Sequence, residues 1–138
     1  MAIIGGAGNP VGGSFTGPAQ ALEIVGDFGY AASGSIQDAG SDAPDTTLLS
    51  FTTGNYVFVG TMDFTTTLSS ATSVYLDVSF NGGLVSETKQ DASNYESNQP
   101  MKFHYIIPPY TEVSVKWGAG GTFNGSVFMA GRIYRTRD

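Results

Sequence analysis

The stretch SVYLDVSF–NGG–LVSETK, residues 73–89, constrains the fold more than any other part of the chain. Side chains along a strand point alternately to opposite faces. Val74, Leu76, Val78 and Phe80 therefore fall on one face, and Tyr75, Asp77 and Ser79 on the other. Asn81-Gly82 follows at once. A two-residue type I′ turn needs positive φ at both central positions, which Asn-Gly accommodates. The pattern predicts a hairpin of strands 73–80 and 84–89 with one apolar face.

The same period of two recurs elsewhere. TLLSFTT–GN–YVFVGTMDFTT predicts a second hairpin turning at Gly54-Asn55, with Tyr56, Phe58, Met62 and Phe64 on its inner face. Gly60, without a side chain in mid-strand, marks a bulge or a close neighbour. In MKFHYII, 101–107, Met101, Phe103, Tyr105 and Ile107 face the core, and Lys102 and His104 face solvent. Pro108-Pro109-Tyr110 turns the chain, because neither proline can donate to a ladder. EVSVKW, 112–117, points Val113, Val115 and Trp117 inward, and 125–137 is the closing strand. Residues 21–36 form a less regular pair of strands, and 37–45 and 90–100 are polar loops. No stretch of helical length has a 3.6-residue period. Short Val/Ile/Thr/Tyr/Phe runs broken by Gly, Asn, Pro and Asp predict an all-β sandwich or barrel of about eight to ten antiparallel strands.

One domain accounts for 138 residues, and nine Phe, seven Tyr and one Trp supply its core. With no Cys, a disulfide scaffold and a thiolate metal site are excluded. The net charge of −6 is unevenly spread: residues 1–88 hold eight acids and no Lys or Arg, and all six bases lie in 89–138 beside four acids. That makes nucleic acid an unfavourable partner, since phosphate contacts need a basic patch. The split means either one acidic and one near-neutral surface, or complementary faces that meet in an oligomer or on a partner. No segment reaches the ~20 apolar residues of a membrane helix. The start has no basic n-region and no long apolar run, so synthesis and retention in the cytoplasm, or release by lysis, is expected.

Candidate chemistry is sparse. His104 is the single histidine and falls on a solvent phase beside Lys102, where a Ser–His–Asp site has no obvious nucleophile. Asp38, Asp42 and Asp45 share one loop, without the alternate-residue spacing of an EF-hand, and read as a solvated turn. Neither GGAGNPVGG nor GAGG ends in the Lys-Ser/Thr of a phosphate loop. Asn124-Gly125-Ser126 matches the glycosylation sequon by coincidence in a chain without an export signal. Tyr75, Tyr95 and Tyr110 lie off the core faces and suit an oligomer contact or stacking on a sugar. No catalytic residue, metal or cofactor is expected, and a structural or binding module is.

MAIIGGAGNPVGGSFTGP, residues 1–18, holds six glycines, two prolines and no charge. Its apolar residues follow no period. It is read as an extended or flexible arm ahead of a sandwich domain, 19–138, with Ile3, Ile4, Pro10, Val11 and Phe15 as contacts to a partner or a neighbouring subunit. A plain disordered tail is the competing reading.

FTTGNYVFVGTMDF, VYLDVSFNGGLVSETK, YIIPPYTEVSVKW and a last strand ending GRIY, over about 20–135, resemble capsid decoration (cement) proteins of marine tailed phages, and the start MAIIGGAGNPVGG fits too. Their order also looks like a jelly roll of the tumour-necrosis-factor or C1q kind, in which trimers are common. The resemblance implies a non-enzymatic virion protein: a jelly-roll-like β-sandwich with an N-terminal arm, a homotrimer on the capsid exterior that binds the major capsid protein. A threefold oligomer suits the local threefold points of an icosahedral shell. The alternative is a carbohydrate- or receptor-binding module of a phage fibre or tail, using Tyr95 and Tyr110. A small β-sandwich hydrolase using His104 is the third possibility.

Overall fold

The computed structural model describes residues 21–37, 43–66, 73–90, 101–119 and 123–135. They form ten strands: β1 Glu23–Val25, β2 Phe28–Ala32, β3 Ile36–Gln37, β4 Thr46–Thr52, β5 Tyr56–Thr66, β6 Val74–Phe80, β7 Gly83–Gln90, β8 Met101–Ile107, β9 Glu112–Gly118 and β10 Asn124–Arg135. All pairings are antiparallel. The larger sheet runs β1-β2-β10-β5-β8 with β3 also against β10, and the smaller runs β4-β9-β6-β7. The chain is an all-β protein of two antiparallel sheets, as the alternation requires. Residues 1–18, where an arm is expected, lie outside the described residues.

The inner faces share one core. Phe58, Met62, Phe64, Met129 and Ile133 of the larger sheet and Leu49, Leu76, Val78, Val115 and Trp117 of the smaller are buried in it. Phe64 of β5 reaches Trp117 of β9 at 5.7 Å between ring centroids, and Phe80 of β6 meets Tyr105 of β8 edge-on at 6.1 Å. The inward residues expected on β5, β6, β8 and β9 are those found, although Tyr56, Phe80, Met101, Phe103 and Tyr105 are only partly buried.

The β6–β7 hairpin forms as expected, with Asn81 at φ 52 and Gly82 at φ 82. Gly60 has a close neighbour rather than a bulge. It pairs with Gly131, and a Cβ there would meet the Ala130 carbonyl oxygen and the Gly131 Cα.

The second hairpin is a correction. β4 and β5 are strands, but they lie in different sheets, and Gly54-Asn55 carries the chain across. Neither residue has the positive φ that a type I′ turn demands. The polar groups of this crossover are spent on the 108–111 turn instead. Thr53 N–H donates to Thr111 O at 2.9 Å, and Tyr110 N–H donates to Gly54 O at 3.1 Å. The buried Thr53 hydroxyl donates to Pro108 O and accepts from Thr111 N–H, each at 2.8 Å. Meanwhile β5 pairs along its whole length with β10, from Thr66↔Gly125 to Tyr56↔Arg135. The seven residues of β4 could not offer that much ladder.

Four of the pairings are nested, β6 with β7, β5 with β8, β4 with β9 and β2 with β10, and β6–β9 and β5–β10 join them into the two sheets. The turns at 26–27, 81–82 and 109–110 gather at one end of the molecule. There Asn81 N–H donates to Glu112 O and Glu112 N–H donates to Asn81 Oδ1, both at 2.8 Å.

Candidate functional site

Among the described residues, those singled out by sequence do not converge. Ile3, Ile4, Pro10, Val11, Phe15 and Tyr95 lie outside the described residues, as do Asp38 and Asp42. Asp45 is exposed. Tyr75 is half-buried, with the Lys89 ammonium 5.6 Å from its ring centroid. His104 is exposed on the outer side of β8, opposite Thr61. Tyr110 is 66% exposed at φ 53. Left-handed backbone costs a non-glycine residue roughly 1–2 kcal/mol, and the Thr53 and Gly54 hydrogen bonds hold it there. No group of three or more His, Cys, Asp or Glu placed to hold a metal occurs among the described residues.

The register assembles a different surface, on the outer side of the larger sheet. Residues directly paired across strands share a face. Val25, Phe28, Arg132, Val59 and Ile106 therefore line up across β1, β2, β10, β5 and β8. Val25, Phe28 and Ile106 are 51%, 60% and 63% exposed. Tyr30 and Ala130 form the next row, and Ala32 and Phe128 the one after. The rings of Tyr30 and Phe128 stack at 6.3 Å. Phe28, Tyr30 and Phe128 wall an open depression of about 490 Å3 over Gly29, Ala130 and Gly131, with Arg132 at its rim.

Arg132 is set there by its neighbours. Its guanidinium carbon lies 5.9 Å from the Phe28 ring centroid and 5.6 Å from that of Tyr134. A cation on aromatic faces is held in orientation while its N–H edges stay available. The two salt bridges among the described residues, Lys102–Asp63 and Arg135–Asp27, do not involve it.

The outer side of the smaller sheet is polar, with Ser50, Thr52, Ser79, Ser114 and Lys116 at outward positions. Asp77 and Glu87 face each other directly across β6 and β7. Partial burial holds the Asp77 carboxyl above the usual aspartate range, and the Glu87 carboxylate pushes it the same way. Lys116 sits opposite Asp77 on the other side, yet no ion pair joins them. A register shift beside Ser79 adds a residue to β7, and Leu84 and Val85 are each left 51% exposed. Between the sheets, burial pushes the Tyr105 phenol up and the Ser86 hydroxyl acts in the opposite sense.

No protein-family model matches the chain, and no curated protein matches it. The exposed aromatic face was missed in the sequence because β10 is apolar in both phases. NGSVFMAGRIYR puts Val127, Met129 and Ile133 on one side and Phe128 and Tyr134 on the other. That double apolarity is itself the signal: a strand buried on one side only carries polar residues on the other.

Proposed function

We propose that the protein is a non-enzymatic structural component of a phage virion: a jelly-roll homotrimer that binds the capsid exterior through the major capsid protein. The observation that carries this reading is the apolar outer face of the larger sheet. Exposed apolar surface rimmed by polar groups marks an interaction site, and here Val25, Phe28, Val59 and Ile106 lie in one row across the sheet with Arg132 among them. The nested strand pairing supports the jelly-roll element, since two interleaved Greek keys give that order. The likeness of VYLDVSFNGGLVSETK and YIIPPYTEVSVKW to decoration proteins supports the capsid as partner. A trimer presents three contacts at once, so modest single contacts add up to firm retention on the shell.

In this reading Ile3, Ile4, Pro10, Val11 and Phe15 are capsid or inter-subunit contacts. The test is sedimentation of the full chain with shells of the phage that encodes it, beside its mass in solution. A trimer that co-sediments is expected. Deleting residues 2–17 leaves a folded domain that stays in the supernatant. A wild-type chain that is monomeric and fails to co-sediment overturns the proposal.

One observation favours a second reading, recognition of a glycan or receptor. Tyr110 is held exposed in a strained conformation at the turn end, and such strain gathers at binding sites. A glycan array with the wild type and Tyr110→Ala decides it, and an array without a hit removes this reading.

A further inference from the structure

The sandwich carries two unlike surfaces whose chemistry matches. One is the depression between Phe28 and Phe128, with Arg132 at its rim, whose guanidinium forms no ion pair among the described residues. The other is the β6–β7 hairpin, where exposed Leu84 shares an outer face with Asp77 and Glu87. Each pairs an apolar feature with charge: Arg132 on the first, and on the second Asp77 and Glu87 nearest Leu84, with Lys116 opposite Asp77 and Lys89 over the Tyr75 ring beyond them. The spacing also corresponds. Arg132 lies two residues along β10 from Ala130 at the floor of the depression, about 7 Å at the rise of a strand. Leu84 and Glu87 are three residues apart across the bulge, a comparable reach.

We infer that copies of this chain meet head to tail, the β6–β7 hairpin of one seating Leu84 between Phe28 and Phe128 of the next and bringing Glu87 to its Arg132. The inference rests on the self-association proposed above and names the surfaces that meet. A twofold contact would bury one patch against itself, setting Arg132 against Arg132. Two complementary patches on different sheets instead make a heterologous contact, which closes into a ring or runs on as a filament. Arg132 suits the role because a planar guanidinium already stacked on two rings takes a carboxylate with little loss of freedom. At the other partner, an arriving cation relieves the mutual repulsion of Asp77 and Glu87. The sequence asymmetry fits: the acids of the hairpin come from the base-free first part of the chain, and Arg132 from the part that holds all the bases.

The test uses the full chain in sedimentation velocity over a range of concentrations, with folding of every variant checked by its melting curve. Arg132→Glu and Glu87→Arg each weaken association at least roughly tenfold. The double variant, with the charges exchanged, regains most of it. Leu84→Asp weakens association without charge rescue. Association of both single charge variants at the wild-type level overturns the inference, as does a double variant no better than either single. If the wild type still forms an oligomer that co-sediments with shells, only this choice of surfaces falls. If the wild type is monomeric and does not co-sediment, the proposed function falls with it.

Discussion

The two sheets are built by the same alternation and differ in what they turn outward. The smaller presents Ser50, Ser79, Ser114, Lys116 and Asp77, and the larger, beside His104, Arg132 and the Lys102–Asp63 pair, presents Val25, Phe28, Phe128, Tyr134 and Ile106. Both inner faces meet in one core. Stability therefore does not account for the difference, since a surface aromatic contributes little to folding compared with a buried one. Away from the β6–β7 hairpin, the polar face is a boundary with water. Under the proposed function, the apolar face is the surface that another molecule covers.

Substitutions can separate the shared core from the distinct faces. The largest effect belongs to the core beneath both. Trp117→Ala should cost about 3–5 kcal/mol, read as a lower urea midpoint, because the ring is fully buried against Phe64. Gly60→Ala comes next, at about 1–3 kcal/mol. Its Cβ would meet backbone on β10, which cannot move aside as a side chain can.

The faces themselves should split two readouts. Phe28→Ser and Phe128→Ser should alter unfolding free energy by no more than about 0.5 kcal/mol while abolishing association in sedimentation. Ser114→Ala on the polar face should change neither. Equal behaviour of the two faces would break the comparison.

The smallest effect is electrostatic. The folded state disfavours the charged form of Asp77 relative to the unfolded chain. That destabilisation is fully present above its raised pKa and vanishes as pH falls below the ordinary aspartate value of about 3.9. Asp77→Asn should therefore melt slightly higher than the wild type at pH 7 and together with it near pH 3.

Much of the fold was legible because a half-buried strand writes its orientation into its sequence. Val74, Leu76 and Val78, or Val113, Val115 and Trp117, could face only inward. Asn81-Gly82 announced its turn for a similarly local reason, the left-handed backbone those residues accept. The site was much less legible. Tyr110 was flagged and is exposed, but Phe28, Phe128 and Arg132 were not singled out. Their meeting depends on β10 lying between β2 and β5, and residues 28 and 132 are paired across a long stretch of chain. In LVSETK, Leu84 and Val85 have the pattern of ordinary strand residues, and the bulge that exposes both has no signature in their spacing.

The sequence by itself determined what is local: the extended conformation, the period of two, the inward phase of β5, β6, β8 and β9, and the hairpin at Asn81-Gly82. Tertiary structure decided partnership. β4 and β5 looked like a hairpin and went to separate sheets, because β10 offered β5 a longer ladder and the Thr53 clamp bound the crossover to the 108–111 turn. It also decided which phase of β10 meets the core and which meets the outside, since that strand is apolar on both. A period shows that two faces differ. Only the packing of distant strands shows which neighbour each face acquires.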